Sequence, residues 1–149
     1  MVEGRDARPL CDWLAARPAA WRDQIATVTI DMSGSYLSVA HTMLPHATVV
    51  ADPFHVVKNA NDRLDECRRR VQQATLARRG HRDDPLYRSR RVLVMADERL
   101  SDKAKQRRQR LLDRGDPHGE VRDAWMAKEA VRELYAVADP DEAARWVID

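Results

Sequence analysis

Two short β-branched runs constrain this chain more than any other feature. Ala26-Thr27-Val28-Thr29-Ile30 runs into Asp31, and Ala47-Thr48-Val49-Val50-Ala51 runs into Asp52. Each reads as a buried strand. Between them Tyr36, Val39, Ala40 and Met43 recur at helical spacing, Ser33 or Ser35 stands where an N-cap belongs, and Pro45 closes the segment. Two strands flanking one helix form a βαβ unit, which implies a parallel pair in an α/β sheet.

No further strand is legible. Before the unit, Asp6 to Arg17 reads as a short helix with Leu10, Trp13 and Leu14 on one side, ended by Pro18. After it, a long helix is expected from Phe54 to Arg79. Val57, Ala60, Leu64, Cys67, Val71 and Ala74 alternate in steps of three and four, and Gly80 is the expected breaker. Tyr87 to Met95 and Asp102 to Arg114 read as two shorter helices, with a turn at Gly115-Asp116-Pro117. A helix over Glu120 to Ala138 should turn Val121, Ala124, Trp125, Val131 and Tyr135 inward. A last helix after Asp139-Pro140 would end at Trp146-Val147-Ile148.

Charged residues make up 34% of the chain, and no apolar run is long enough for a membrane helix. The stretch Met1 to Asp6 lacks the apolar core of a signal peptide, so a cytoplasmic location and no membrane partner are expected. Cys11 and Cys67 are isolated and read as reduced core thiols on the buried side of helices. The net charge is only +2, but from Arg63 to Arg91 ten arginines meet four acids. Lys103, Lys105, Arg107, Arg108 and Arg110 repeat the bias. One basic stretch is an ordinary solvated face; two point toward nucleic acid.

Asp31 and Asp52 carry the sharpest chemical signal, because function in parallel α/β sheets collects at the carboxyl ends of strands. The plainer reading is that each acid caps the following helix. His55, three residues after Asp52, can be held by that carboxylate in one tautomer; an incidental neighbour is the alternative. His41, His46, His81 and His118 have no such partner in the sequence. Glu129 borders the apolar stripe of its helix, with Glu133 one turn further. Either can reach toward a site, and Glu129 can equally pair with Lys128 or Arg132.

Several stretches resemble one bacterial family in order along the chain. They are Val28-Thr29-Ile30-Asp31-Met32-Ser33, Leu44-Pro45-His46-Ala47, and above all Asp52-Pro53-Phe54-His55-Val56-Val57-Lys58-Asn59-Ala60-Asn61. Leu64-Asp65 with Arg68-Arg69-Arg70 follows, then Tyr87-Arg88-Ser89-Arg90-Arg91, then Trp125 with Lys128-Glu129 and Leu134-Tyr135. The chain is similar to the DDE transposases of the ISL-three insertion-sequence family. The resemblance implies a partial ribonuclease-H-like core over residues 1–52, a helical insertion over 53–117, and C-terminal core helices over 118–149. Asp31 and Glu129 would be catalytic, metal-holding acids, with Glu133 the fallback for the second. Asp52 and His55 would form the motif at the insertion's start. The implied metal is Mg²⁺ or Mn²⁺, a hard cation that prefers oxygen ligands. The implied chemistry is metal-assisted phosphodiester cleavage and strand transfer. Lys58, Arg68, Arg69, Arg70, Arg78, Arg79, Arg90 and Arg91 would grip DNA.

The family pattern also implies a first acid on a strand upstream of the first helix, where this sequence has only Met1 to Gly4. Glu3 and Asp6 fall in the wrong element for it. The expectation is therefore a truncated core, inactive by itself, whose strand ending at Asp31 keeps an open edge. A full-length transposase would be a natural partner. The competing readings are a non-enzymatic, basic helical DNA-binding or interaction module, and a plain helical scaffold.

Overall fold

The computed structural model describes residues 6–135 and 137. The chain forms two compact units, residues 1–56 and 57–149.

In the first unit, helix α1 (Ala7–Ala15) and the single turn α2 (Ala19–Arg22) precede strand β1 (Thr27–Ile30), helix α3 (Gly34–Met43) and strand β2 (Thr48–Ala51). The strands are parallel, in register from Thr27 opposite Thr48 to Ile30 opposite Ala51. The βαβ expectation holds, with each strand beginning one residue later than its β-branched run. Burial along the strands corrects one point. Thr27 and Thr29 are exposed while Val28 and Ile30 are half-buried, so β1 has one covered face, not two. The core is correspondingly small: Leu14, Val39 and Leu44 are buried, with Leu10, Ile25, Val28 and Met43 packed against them.

Helix α2 goes beyond the sequence expectation, in which Pro18 only ends a helix. Proline sits equally well just ahead of a helix. Here Pro18 separates two helices, and the chain folds back so that Trp13 and Trp21 meet edge to face at 5.6 Å. Arg17 covers the Trp13 ring at 4.5 Å.

Helix α4 (Pro53–Leu76) leads into the second unit, followed by α5 (Pro85–Val94), a 3-10 turn (Asp97–Arg99), α6 (Asp102–Gly115) and α7 (Glu120–Leu134). Leu64, Val71, Leu86, Leu93, Leu112 and Val121 form its core. Along α4 the expected stripe is buried at Leu64 and Val71 only. Ala74 is exposed, and Arg68 and Gln72 are buried in the same helix. The helix ends at Leu76, earlier than Gly80, because Ala77 adopts a left-handed backbone with φ 52°. Gly80 instead makes room for Gln72, whose side-chain amide a Cβ there would strike.

Helix α5 starts at Pro85, two residues before Tyr87, with proline in its favoured first-turn position. Ser101 caps α6 by accepting from the Ala104 N–H at 3.3 Å. Gly115 is the last residue of α6 and not part of the following turn. Tyr135, expected inward, is exposed just beyond the end of α7. The helix expected after Asp139-Pro140 lies outside the described residues.

Candidate functional site

The parallel register sets the first part of the site. Ile30 and Ala51 are the last paired residues, so Asp31 and Asp52 leave the sheet side by side at its carboxyl end. The Asp52 N–H still donates to the Ile30 carbonyl at 2.7 Å. Both acids line a cavity of about 510 Å³, together with all four residues of β1, Leu10 and Leu14 of α1, and Tyr36 and Val39 of α3.

Asp31 is exposed, and one of its oxygens accepts from the Ser33 N–H at 3.3 Å. That contact exists because Met32 turns the chain with φ 66°. A methionine in the left-handed region is strained, and such residues cluster at functional sites. Asp52 is more occupied. One oxygen accepts from the Phe54 N–H at 2.9 Å, and the other meets His55 Nδ1 at 2.8 Å. The histidine contact, followed by the Phe54 N–H, holds the Asp52 carboxyl below its ordinary pKa. Asp52 thus caps α4 and orients His55 at once; the two readings of this pair coexist.

Glu129 belongs to the second unit and is buried. It pairs with Lys128 and, at 2.6 Å, with Arg132. Arg132 is held in turn by Glu98 at 2.6 Å, which lowers the Glu98 carboxyl to about 2. Lys128 is fully buried, and desolvation pushes its pKa down against the upward pull of Glu129. Glu133 is exposed.

A hard divalent cation fits Asp31, an exposed carboxylate with oxygen to spare. It does not fit Glu129 in this arrangement, since both oxygens already face cations. Among the described residues no group of three His, Cys, Asp or Glu is arranged to hold a metal.

The arginines proposed for DNA divide by partner. Arg68 needs correction as an outward-facing cation. Its guanidinium is buried and bound to Asp65 at 2.6 Å, because position 68 lies one turn from Leu64 and Val71 on the packed side of α4. Arg69 is exposed but shares Asp65 at 3.2 Å, and Arg70 pairs with Glu120 at 2.7 Å. Arg78 pairs with Asp84 through both its Nη atoms, at 2.9 and 2.7 Å. Lys58 pairs with Asp62 at 2.6 Å. Arg90 stacks on the Tyr87 ring at 4.1 Å, while Arg79 and Arg91 are exposed. The sequence held a signal for part of this: Glu66, three residues beyond Arg63, and Asp65, three and four before Arg68 and Arg69, have ion-pair spacing on a helix.

A family model described as Transposase, that of the ISL-three DDE transposases, matches residues 1–149. The chain belongs to the ISL-three transposase family. No curated protein and no solved structure matches it. Membership gives the chain a transposase-related function and DNA as the family's partner. No helix among the described residues is long and apolar enough to cross a membrane.

Proposed function

We propose that the chain supplies part of the catalytic core and part of the DNA-gripping surface of an insertion-sequence transposase acting in the cytoplasm. The observation that carries this is that Asp31 and Asp52 each directly follow the last paired residue of a parallel strand, at one end of the sheet, within a chain that the family model matches over residues 1–149. Residues 1–52 are assigned to a partial ribonuclease-H-like core, 53–117 to the helical insertion, and 118–149 to core helices bearing the last acid. In this reading Asp31 is a ligand for Mg²⁺ or Mn²⁺. Glu129 is the final acid, once Lys128 and Arg132 give way, with Glu133 as the exposed alternative. Asp52 and His55 position the start of the insertion. When bound, divalent ions in such a site activate the attacking oxygen and stabilise the leaving one. The chain's own part is to hold Asp31 at a rigid strand end and the phosphate backbone against its cations. Two carboxylates are fewer than a two-metal site requires, so the 149-residue chain alone is proposed not to cut DNA, and a full-length transposase is the partner that would complete it.

The ion pairs on Glu129 favour a second reading, in which the chain binds DNA without any cleavage role. Titration with Mn²⁺ under NMR observation separates the two. In the first reading, paramagnetic broadening concentrates on the amides around Asp31, Ser33 and Asp52 and is lost in Asp31→Asn. Broadening that is uniform, or unchanged in Asp31→Asn, would refute a metal role for Asp31. Metal-dependent nicking of supercoiled plasmid by the chain, abolished by Asp31→Ala, would refute its inactivity alone.

A further inference from the structure

Among the described residues the arginines form two populations. The four on α4 and Arg78 just beyond it are answered by carboxylates: Arg63 by Glu66, Arg68 and Arg69 by Asp65, Arg70 by Glu120 and Arg78 by Asp84. On α5, the 3-10 turn and α6 only Arg108 is, by Asp97. Arg88, Arg91, Arg99, Arg107 and Arg114 make no side-chain hydrogen bond or ion pair, and Arg110 donates only to the Gln106 carbonyl of its own helix at 3.3 Å. All six are exposed.

These six are gathered, not scattered. They line two cavities of about 450 and 420 Å³, and Arg88 and Arg107 line both. Helix geometry explains the gathering. Helix α6 buries Arg108, Leu111, Leu112 and Gly115, which leaves Arg107, Arg110 and Arg114 along one flank at steps of three and four. Helix α5 buries Leu86, Ser89, Val92 and Leu93, which leaves Arg88 and Arg91 beside them. The single acid in the lining, Asp113, is engaged by Arg122 at 2.7 Å and Gln109 at 2.8 Å.

We propose that this double groove between α5 and α6 is the chain's principal site for the phosphate backbone of duplex DNA, with Arg88 and Arg107 at its centre. The proposal deepens the transposase reading and rests on it. A row of phosphates answers six cations spread over adjoining cavities better than one small anion does. Planar guanidinium forks suit phosphate oxygens, and here they need not first break a carboxylate pair. The α4 arginines would have to break one, so their role is structural.

The test is fluorescence anisotropy of a labelled duplex of arbitrary sequence with the full 149-residue chain between 50 and 200 mM salt. Arg88→Ala with Arg107→Ala should weaken binding on the order of tenfold and lower the slope of log affinity against log salt by about two. Arg91→Ala with Arg114→Ala, one position from each cavity, should act in the same direction. Arg69→Ala with Arg70→Ala should stay within about twofold of wild type. Thermal melting by circular dichroism verifies that each variant is folded. Unchanged affinity and slope in both groove variants, with wild type binding, would overturn the groove and leave the DNA reading standing. A folded wild-type chain that does not bind duplex at 50 mM salt would overturn both.

Discussion

Lys128 has no exposed side-chain surface; its ammonium bonds Glu129 and the Met95 carbonyl, the latter at 3.2 Å, and lies over the Trp125 ring at 5.9 Å. Beside it the Trp125 ring is covered by Arg108 at 3.8 Å, and Arg108 is bound to Asp97 at 2.6 Å. Burial makes this cluster sensitive. A buried charge whose partner is removed costs far more than the pair contributes while intact. Glu129→Gln keeps the shape but leaves the buried Lys128 amine without its anion. It should therefore destabilise the chain by about 3 kcal/mol, and Lys128→Met added to it should recover most of that loss. Urea unfolding measures both. A Glu129→Gln chain as stable as wild type would mean that the carboxylate is not needed by its surroundings and is kept for its chemistry. Nothing in the local sequence announces this burial. Glu129 reads as a border residue on the helical wheel, and only the Met95 carbonyl and Arg108, brought from other elements, enclose its lysine.

At the scale of elements, α5 and α6 pack more closely than ordinary side chains allow, and Gly115 is the reason. A Cβ there would lie 2.9 Å from Leu86 Cγ and 3.0 Å from Pro85 Cβ. Gly115→Ala should cost about 1–3 kcal/mol by overpacking, seen as a lower melting temperature. Since the two helices also carry the arginine groove, the same variant should weaken duplex binding although it removes no charge. A melting temperature equal to that of wild type would show that the helices part without cost. The elements themselves were largely legible. The strands lie within a residue of their β-branched runs, which leave little choice, and α6 ends within a residue of its expected end. What escaped reading depends on context: α2 hangs on a Trp–Trp contact, and the end of α4 on an alanine in a glycine-like conformation. The partnering of Arg70 by Glu120 joins residues fifty positions apart, which no spacing rule along one helix reveals.

The two units of the molecule differ in what they can withstand. The first buries three large apolar side chains in its core and holds a sheet of two four-residue strands with one covered face. A two-stranded sheet is marginal support by itself. The second has a core cluster of six buried apolar side chains among helices, including the closely packed α5 and α6. Opening free energies should follow that difference. Native-state hydrogen exchange should show protection of the Val50 and Asp52 amides at least about tenfold below that of Leu93 and Leu112. Equal protection would mean that the chain opens as one cooperative body, and the contrast in core size would then carry no weight. The consequence reaches function, because the acids at the strand ends and the arginine groove lie in different units. Mild denaturant that releases the strand amides while α5 and α6 remain protected should abolish any localised Mn²⁺ broadening near Asp31 and leave most duplex binding in place.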